Sequence, residues 1–195
     1  MLRYDRTMSR LRDFPITLAV FTLTATALSG VANNVRVPNL DGGVVSPISE
    51  QDDLTVLVFV ATDCPIANRY APELRRLYER FGGDVVFWLV YPSDDQSVSI
   101  LREHRASYGF PFEAVRDPEN KLVALSGVTV TPEVAVYAGQ RLVYRGRIDD
   151  RYVDFGVSRA GARMHDLRDV LDQLVAGRDV PFTETRAVGC YLPAI

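Results

Sequence analysis

The sequence has little cysteine, no cluster of basic residues and no internal repeat. Its 195 residues include only two cysteines, Cys64 and Cys190, and the net charge is −3. Runs of lysine or arginine interleaved with aromatic residues, which are typical of nucleic-acid-binding surfaces, are missing. The Cys-x-x-Cys-His motif that attaches haem c is missing as well. We therefore expect no nucleic-acid partner, no cofactor and no metal site.

The first 32 residues have the composition of a secretory signal peptide. "MLRYDRTMSRLRD" contains several arginines, "FPITLAVFTLTATALSG" is apolar, and small residues follow. We expect cleavage after Ser29 or Ala32, a periplasmic or extracellular domain, and no stable membrane insertion after cleavage. The alternative is a retained membrane anchor, because the apolar run is near the lower length limit for spanning a bilayer.

The order of predicted elements indicates an α/β domain over residues 33–178 and a C-terminal tail over residues 179–195. "VRVPNLDGGVV" is typical of a hairpin, and "LTVLVFVAT" and "DVVFWLVYP" are typical of buried strands. Between them, "IANRYAPELRRLYERFGG" has helical periodicity.

The second half of the domain is predicted to contain a helix, an antiparallel strand pair and a final helix. "SDDQSVSILREHRASYG" is a helix with Ser93 or Asp94 as its cap and Gly109 as its end. "FEAVRDPEN" follows as a strand and a turn, and "TPEVAVYAGQRLVYRGRIDD" as two antiparallel strands. The last helix ends at Gly177, and the tail has no regular pattern.

Cys64 stands between the first buried strand and the helix that follows it. A helix N-terminus presents unpaired N–H groups and a partial positive charge, which favour a thiolate. Pro65 suits the first helical position because its missing N–H would be unpaired there anyway. Cys64 is therefore the candidate nucleophile, and the alternative is a small buried side chain at a strand end.

Two motifs, "VFVATDCPIA" and "GVTVTPEVAVY", occur in an order and spacing that resemble thioredoxin-like proteins of the redoxin and AhpC/TSA group. The resemblance implies a thioredoxin-like fold, with a central mixed β-sheet, flanking helices, an N-terminal hairpin and a C-terminal tail. It also implies that Pro132 is a cis-proline packed against Cys64, and that the backbone of Thr131 pairs with an extended substrate. Thr62 and Pro65 complete the expected substrate-binding set.

The sequence departs from this group at several positions. Ala67 stands where dithiol thioredoxins have their second cysteine, so no local Cys-x-x-Cys disulfide can form. Ala61 and Leu57 stand where peroxiredoxins have a threonine and a proline, although Thr62 lies one place closer to the sulfur. The arginine that polarises the peroxide in peroxiredoxins is replaced near Thr131. These departures weaken the peroxidase hypothesis.

Cys190 has three possible roles. It resolves an intermediate formed on Cys64, it forms a permanent structural disulfide, or both thiols stay apart and unpaired. A structural disulfide would close a long loop and contribute roughly 5 kcal/mol in the chain-entropy model. We expect the tail to return over the site, so that the two cysteines lie within disulfide distance.

The leading hypothesis is an exported thiol–disulfide oxidoreductase with Cys64 as its nucleophile. Its substrate would be a protein or small thiol, a disulfide or a peroxide, and its reductant is unidentified. One alternative is a peroxidase of the peroxiredoxin type. Another is a copper-binding assembly factor with a thioredoxin fold, in which Cys64, Cys190 and His165 bind the metal.

The signal-peptide hypothesis predicts a processed N-terminus. Intact-mass measurement of protein from an exporting host should give a chain that begins after Ser29 or Ala32. A chain that retains Met1 or Leu2 would contradict the prediction.

Overall fold

The computed structural model describes residues 35–49, 54–92 and 95–192. The predicted signal peptide lies outside these residues, and so do Ser93 and Asp94, the expected helix caps. Among the residues that the structure describes, none of the helices has both the length and the hydropathy of a membrane span.

Twelve short strands are present in the described part of the chain. Their bounds are β1 Val37–Pro38, β2 Val44–Val45, β3 Leu54–Phe59, β4 Val86–Tyr91, β5 Glu113–Arg116, β6 Val130–Thr131, β7 Glu133–Ala138, β8 Arg141–Gly146, β9 Tyr152–Asp154, β10 Val157–Ser158, β11 Thr183–Glu184 and β12 Cys190–Tyr191. Strands β1 and β2 form the predicted N-terminal hairpin. Six strands form the central sheet, in the order β11-β8-β7-β3-β4-β5.

The central sheet is mixed, as the resemblance implies. Strands β3, β4 and β5 are parallel, and β7 runs antiparallel beside β3. Strand β8 is antiparallel to β7, and β11 is parallel to β8. Strand β3 is buried on both faces, because Val56 and Val58 pack into one apolar cluster while Leu57 and Phe59 pack into another. This explains its continuous apolar sequence.

Within the described ranges there are four helices, α1 Pro65–Phe81, α2 Val98–Tyr108, α3 Lys121–Ser126 and α4 Asp166–Val175. Helix α1 has apolar residues at helical spacing along one face, and this face packs against the cluster that contains Val56 and Val58. Helix α2 ends at Gly109 in the left-handed conformation, as predicted. Its N-cap is Ser97, so the expected cap at Ser93 or Asp94 is wrong. The Ser97 hydroxyl accepts from the amide of Ile100.

Helix α3, the β9–β10 hairpin and the two tail strands are not predicted from the sequence. Each is short, and each tail strand is defined by its partner elsewhere in the chain, β11 by β8 and β12 by β6. A two-residue strand has no periodicity that the sequence could reveal. The expectation of an irregular tail is therefore wrong, because the two tail strands form only through pairing with distant strands.

Asp117 generates a stability prediction, because this buried carboxylate accepts from the amides of Lys121, Leu122 and Val123 at 2.8, 2.8 and 3.0 Å. Asp117→Ala leaves these donors of helix α3 without their acceptor. The free energy of unfolding should fall by about 3 kcal/mol in chemical denaturation. Glu119→Ala is the control, because Glu119 is exposed and forms a surface ion pair with Lys121, and its effect should stay within about 0.5 kcal/mol. Equal losses in the two variants would contradict this role.

Candidate active site

Cys64 is fully buried at the N-cap of helix α1, where strand β3 passes into the helix. Pro65 occupies the first helical position, as predicted, and is exposed. The Cys64 thiol donates to the carbonyl oxygen of Thr131, with 2.9 Å between sulfur and oxygen. The sulfur is thus held against the loop that carries the predicted substrate-binding residues.

The sheet register brings this loop to the cysteine. Phe59 at the end of β3 pairs with Glu133 at the start of β7, so the residues after Phe59 lie beside those before Glu133. The Thr131–Pro132 peptide bond is cis. The Thr131 hydroxyl is buried and has no hydrogen-bond partner in the described part of the chain, whereas the Thr131 backbone accepts from Cys64 and pairs with Cys190.

Glu133 stabilises the loop and is a site residue that sequence reasoning missed. Its buried carboxylate accepts from the amide of Thr129 at 2.7 Å and from that of Val130 at 3.3 Å. Burial raises the pKa of Glu133, although the two backbone hydrogen bonds and Arg145 act in the opposite direction. An acidic residue directly after the cis-proline was the available signal in the sequence.

Cys190 reaches the same place from the C-terminal tail. Strand β12 pairs antiparallel with β6, and Cys190 lies opposite Thr131. Its side chain packs against the apolar cluster that includes Cys64, and both cysteines are free thiols in this structure. Burial, followed by the electrostatic influence of Cys64, raises the pKa of Cys190 to about 12. The tail therefore does return over the site, whereas a disulfide distance between Cys64 and Cys190 stays a prediction.

Thr62 lies two residues before Cys64, and its hydroxyl is hydrogen-bonded within the protein. The Thr62 hydroxyl donates to Gln96, in the segment before helix α2, at 2.8 Å. The Thr62 carbonyl accepts from the side-chain amide of Asn68 at 3.0 Å. Thr62 thus anchors the loop before Cys64, and its predicted contact with substrate stays a prediction.

His104, which no sequence pattern assigned to the site, links Asn68 to the buried Tyr91. His104 is 7 % exposed. Its Nε2 lies 2.8 Å from Asn68 Oδ1, and its Nδ1 lies 2.8 Å from the Tyr91 hydroxyl. Since the Asn68 amide nitrogen donates to Thr62, the oxygen accepts, so Nε2 carries the proton and Nδ1 accepts from Tyr91. The available signal was its position three residues after the buried Leu101, on the same helix face.

His165, the third ligand in the copper hypothesis, is the N-cap residue of helix α4. Its Nδ1 is buried without a hydrogen-bond partner in the described part of the chain. No three His, Cys, Asp or Glu side chains among residues 35–49, 54–92 and 95–192 are grouped so that they could hold a metal ion. The copper ligand set is therefore not assembled in this structure.

The fold and the site define the class of protein. A mixed sheet with a cysteine at the start of the first long helix, facing a cis-proline loop, is the arrangement of a thioredoxin-like protein. The chain belongs to the AhpC/TSA family, whose sequence profile matches residues 29–148. The predicted family and fold are thus confirmed.

Solved structures share this fold at low sequence identity. An uncharacterized conserved protein from Geobacillus kaustophilus has 24 % identity and a TM-score of 0.71, over 84 % of this chain and 90 % of that one. A hypothetical protein from Sinorhizobium meliloti has 20 % identity and a TM-score of 0.69, over 82 % and 90 %. A secreted disulfide oxidoreductase from Mycobacterium tuberculosis has 22 % identity and a TM-score of 0.52, over 74 % and 96 %. No curated protein matches the sequence.

The burial of His104 predicts a pH-dependent stability. Burial lowers the pKa of His104 below its ordinary value of 6.5, so the unfolded chain binds this proton first as the pH falls. The stabilising contribution is therefore complete above 6.5 and is lost as the pH falls below it. The free energy of unfolding should decrease between about pH 7.5 and 5.5, and His104→Gln should flatten that slope. His165→Gln is the control, and a slope that is lost in this variant instead would contradict the assignment.

Proposed function

We propose that the protein is an exported thiol–disulfide oxidoreductase that uses Cys64 and Cys190 as its redox pair. The observation that carries the proposal is the antiparallel pairing of β12 with β6, which sets Cys190 opposite Thr131, the residue whose carbonyl accepts from the Cys64 thiol. The local Cys-x-x-Cys of dithiol thioredoxins is replaced in this proposal by a pair that is distant in sequence. Export rests on the composition of residues 1–32.

The reaction proceeds in two thiol–disulfide exchanges. The Cys64 thiolate attacks one sulfur of a substrate disulfide, which forms a mixed disulfide on Cys64 and releases the first substrate thiolate. Cys190 then attacks the Cys64 sulfur, which forms the Cys64–Cys190 disulfide and releases the second substrate thiolate. The substrate gains two electrons and the two protons of the protein thiols. A dithiol reductant restores the pair by the reverse exchanges.

The environments of the two sulfurs support different roles for them. Cys64 lies at the N-terminus of helix α1, which spans 17 residues and presents unpaired N–H groups and a partial positive charge to this position. The raised pKa of Cys190, to about 12, keeps it protonated at neutral pH. Cys190 is thus suited to act second, when its neighbour carries a disulfide and the departing thiolate can take up the proton.

The alternatives have less support. A peroxidase would use the same nucleophile, but Ala61 and Leu57 occupy the positions of the peroxiredoxin threonine and proline. The Thr62 hydroxyl, one place closer to the sulfur than that threonine, donates to Gln96. The copper hypothesis requires His165 beside both cysteines, and that group is not assembled in the described part of the chain.

Reaction with the aromatic disulfide 5,5′-dithiobis(2-nitrobenzoic acid) tests the redox pair. The unaltered protein should release two equivalents of the coloured thiolate and end as an internal disulfide without an adduct, because Cys190 resolves the intermediate. Cys190→Ser should release one equivalent and keep one adduct on Cys64 in the mass spectrum. Cys64→Ser should react at about one tenth of the rate of the unaltered protein, or at a still lower rate, because Cys190 is held protonated. Two stable adducts on the unaltered protein would show that the cysteines react independently and would refute the proposal.

A further inference from the structure

The C-terminal segment of residues 187–192, here called the strap, occupies the backbone edge that precedes the cis-proline. Its strand β12 pairs antiparallel with β6, and the amide of Leu192 donates to the carbonyl oxygen of Thr129 at 3.0 Å. The strap is therefore bound as an extended peptide would be bound, by strand addition to residues 129–131.

The strap also covers the nucleophile. Cys64 is fully buried, and Val188 and Cys190 of the strap pack against the apolar cluster that includes it. The outer side of the strap faces solvent, where Tyr191 is 86 % exposed. While the strap is in place, a polypeptide substrate has access neither to the edge of residues 129–131 nor to the Cys64 sulfur.

Gly189 sets how closely the strap can approach. A Cβ atom at this position would clash with the carbonyl oxygen of Thr131 and would lie 2.6 Å from its carbonyl carbon. Both atoms belong to the backbone of the loop, so neither can move aside as a flexible side chain would. The residue directly before the bound cysteine must therefore lack a side chain.

The tail has a second, separate anchor upstream of the strap. The amide of Thr185 donates to the carbonyl of Arg145 at 3.0 Å, and its hydroxyl lies 2.6 Å from that of Tyr144. The amide of Arg147 donates to the Thr185 hydroxyl at 3.2 Å. Gly146, in the left-handed region, permits this contact, since a Cβ there would clash with Thr185. None of these hydrogen bonds involves β12, so Thr185 would stay bound if the strap lifted.

We propose that the strap is a self-inhibitory segment that competes with polypeptide substrates for the edge of residues 129–131. It lifts to admit an extended chain in the same register, and only a chain with glycine directly before its cysteine takes its place. The exchange chemistry of the bound cysteine rests on the proposed function. The docking itself requires no second sulfur, so it can be tested in protein that lacks Cys190.

The first experiment measures the rate at which a bulky polyethylene-glycol maleimide labels Cys64 in the full chain. All variants carry Cys190→Ser, so Cys64 is the one thiol. Adding Gly189→Ala should raise the labelling rate about tenfold or more, because the strap no longer fits against Thr131. Gly161→Ala is the matched control, since a Cβ there meets nothing and the backbone is not left-handed. Equal rates with and without Gly189→Ala would overturn the proposal.

The second experiment restores the strap in trans. The probe is a synthetic peptide of residues 184–192 carrying Cys190→Ser, added to protein with Gly189→Ala and Cys190→Ser. The peptide should slow maleimide labelling of Cys64 back towards the rate of the Cys190→Ser protein. The same peptide with Gly189→Ala should not protect. Equal protection by both peptides would refute the glycine requirement, and no protection by either would refute the binding edge.

A third measurement separates strap opening from global unfolding. In the Cys190→Ser protein alone, hydrogen exchange at the Leu192 amide and maleimide labelling of Cys64 should both be faster than amide exchange within helix α1. If Cys64 is labelled only as fast as helix α1 exchanges, the strap does not lift independently and the proposal is wrong. This readout applies even if Gly189→Ala prevents folding. It also stays valid if the two cysteines never form a disulfide.

Discussion

The arrangement of the site depends on one backbone interaction, the antiparallel pairing of β12 with β6. This short pairing brings the sequence-distant Cys190 opposite Thr131, whose carbonyl accepts from Cys64. Without it, Cys64 would be a solitary thiol beside a cis-proline loop. Gly189 makes the pairing possible, because a Cβ at this position would clash with the Thr131 backbone. The proposed redox pair and the proposed self-inhibition both follow from this contact.

The pairing in turn depends on how the sheet presents the loop. The β3–β7 register sets Phe59 opposite Glu133, and the Glu133 carboxylate binds the amides of Thr129 and Val130. A separate chain of hydrogen bonds runs from Tyr91 through His104 and Asn68 to the loop before Cys64. The two loops that meet at the sulfur are thus each tied to the body of the domain, whereas the strap is bound along one edge.

The sequence was sufficient for elements with long local patterns and insufficient for those defined by distant partners. The periodicity of helix α1 and the apolar run of β3 predict the strand-to-helix junction that carries Cys64. The position of Cys190 follows from a two-residue strand, which has no period of its own. The role of His104 depends on Asn68 and Tyr91, which approach it from two other elements, so its sequence position alone suggests only a buried helix face.

Solution NMR of the reduced protein can detect whether the strap pairs with the loop before the cis-proline. Because Leu192 donates to Thr129, the neighbouring pair of Tyr191 and Val130 is a non-hydrogen-bonded pair, in which the two Cα atoms lie closest. We therefore expect a strong nuclear Overhauser effect between the Hα protons of Tyr191 and Val130. The absence of this cross-peak, together with random-coil chemical shifts for residues 187–192, would contradict the pairing.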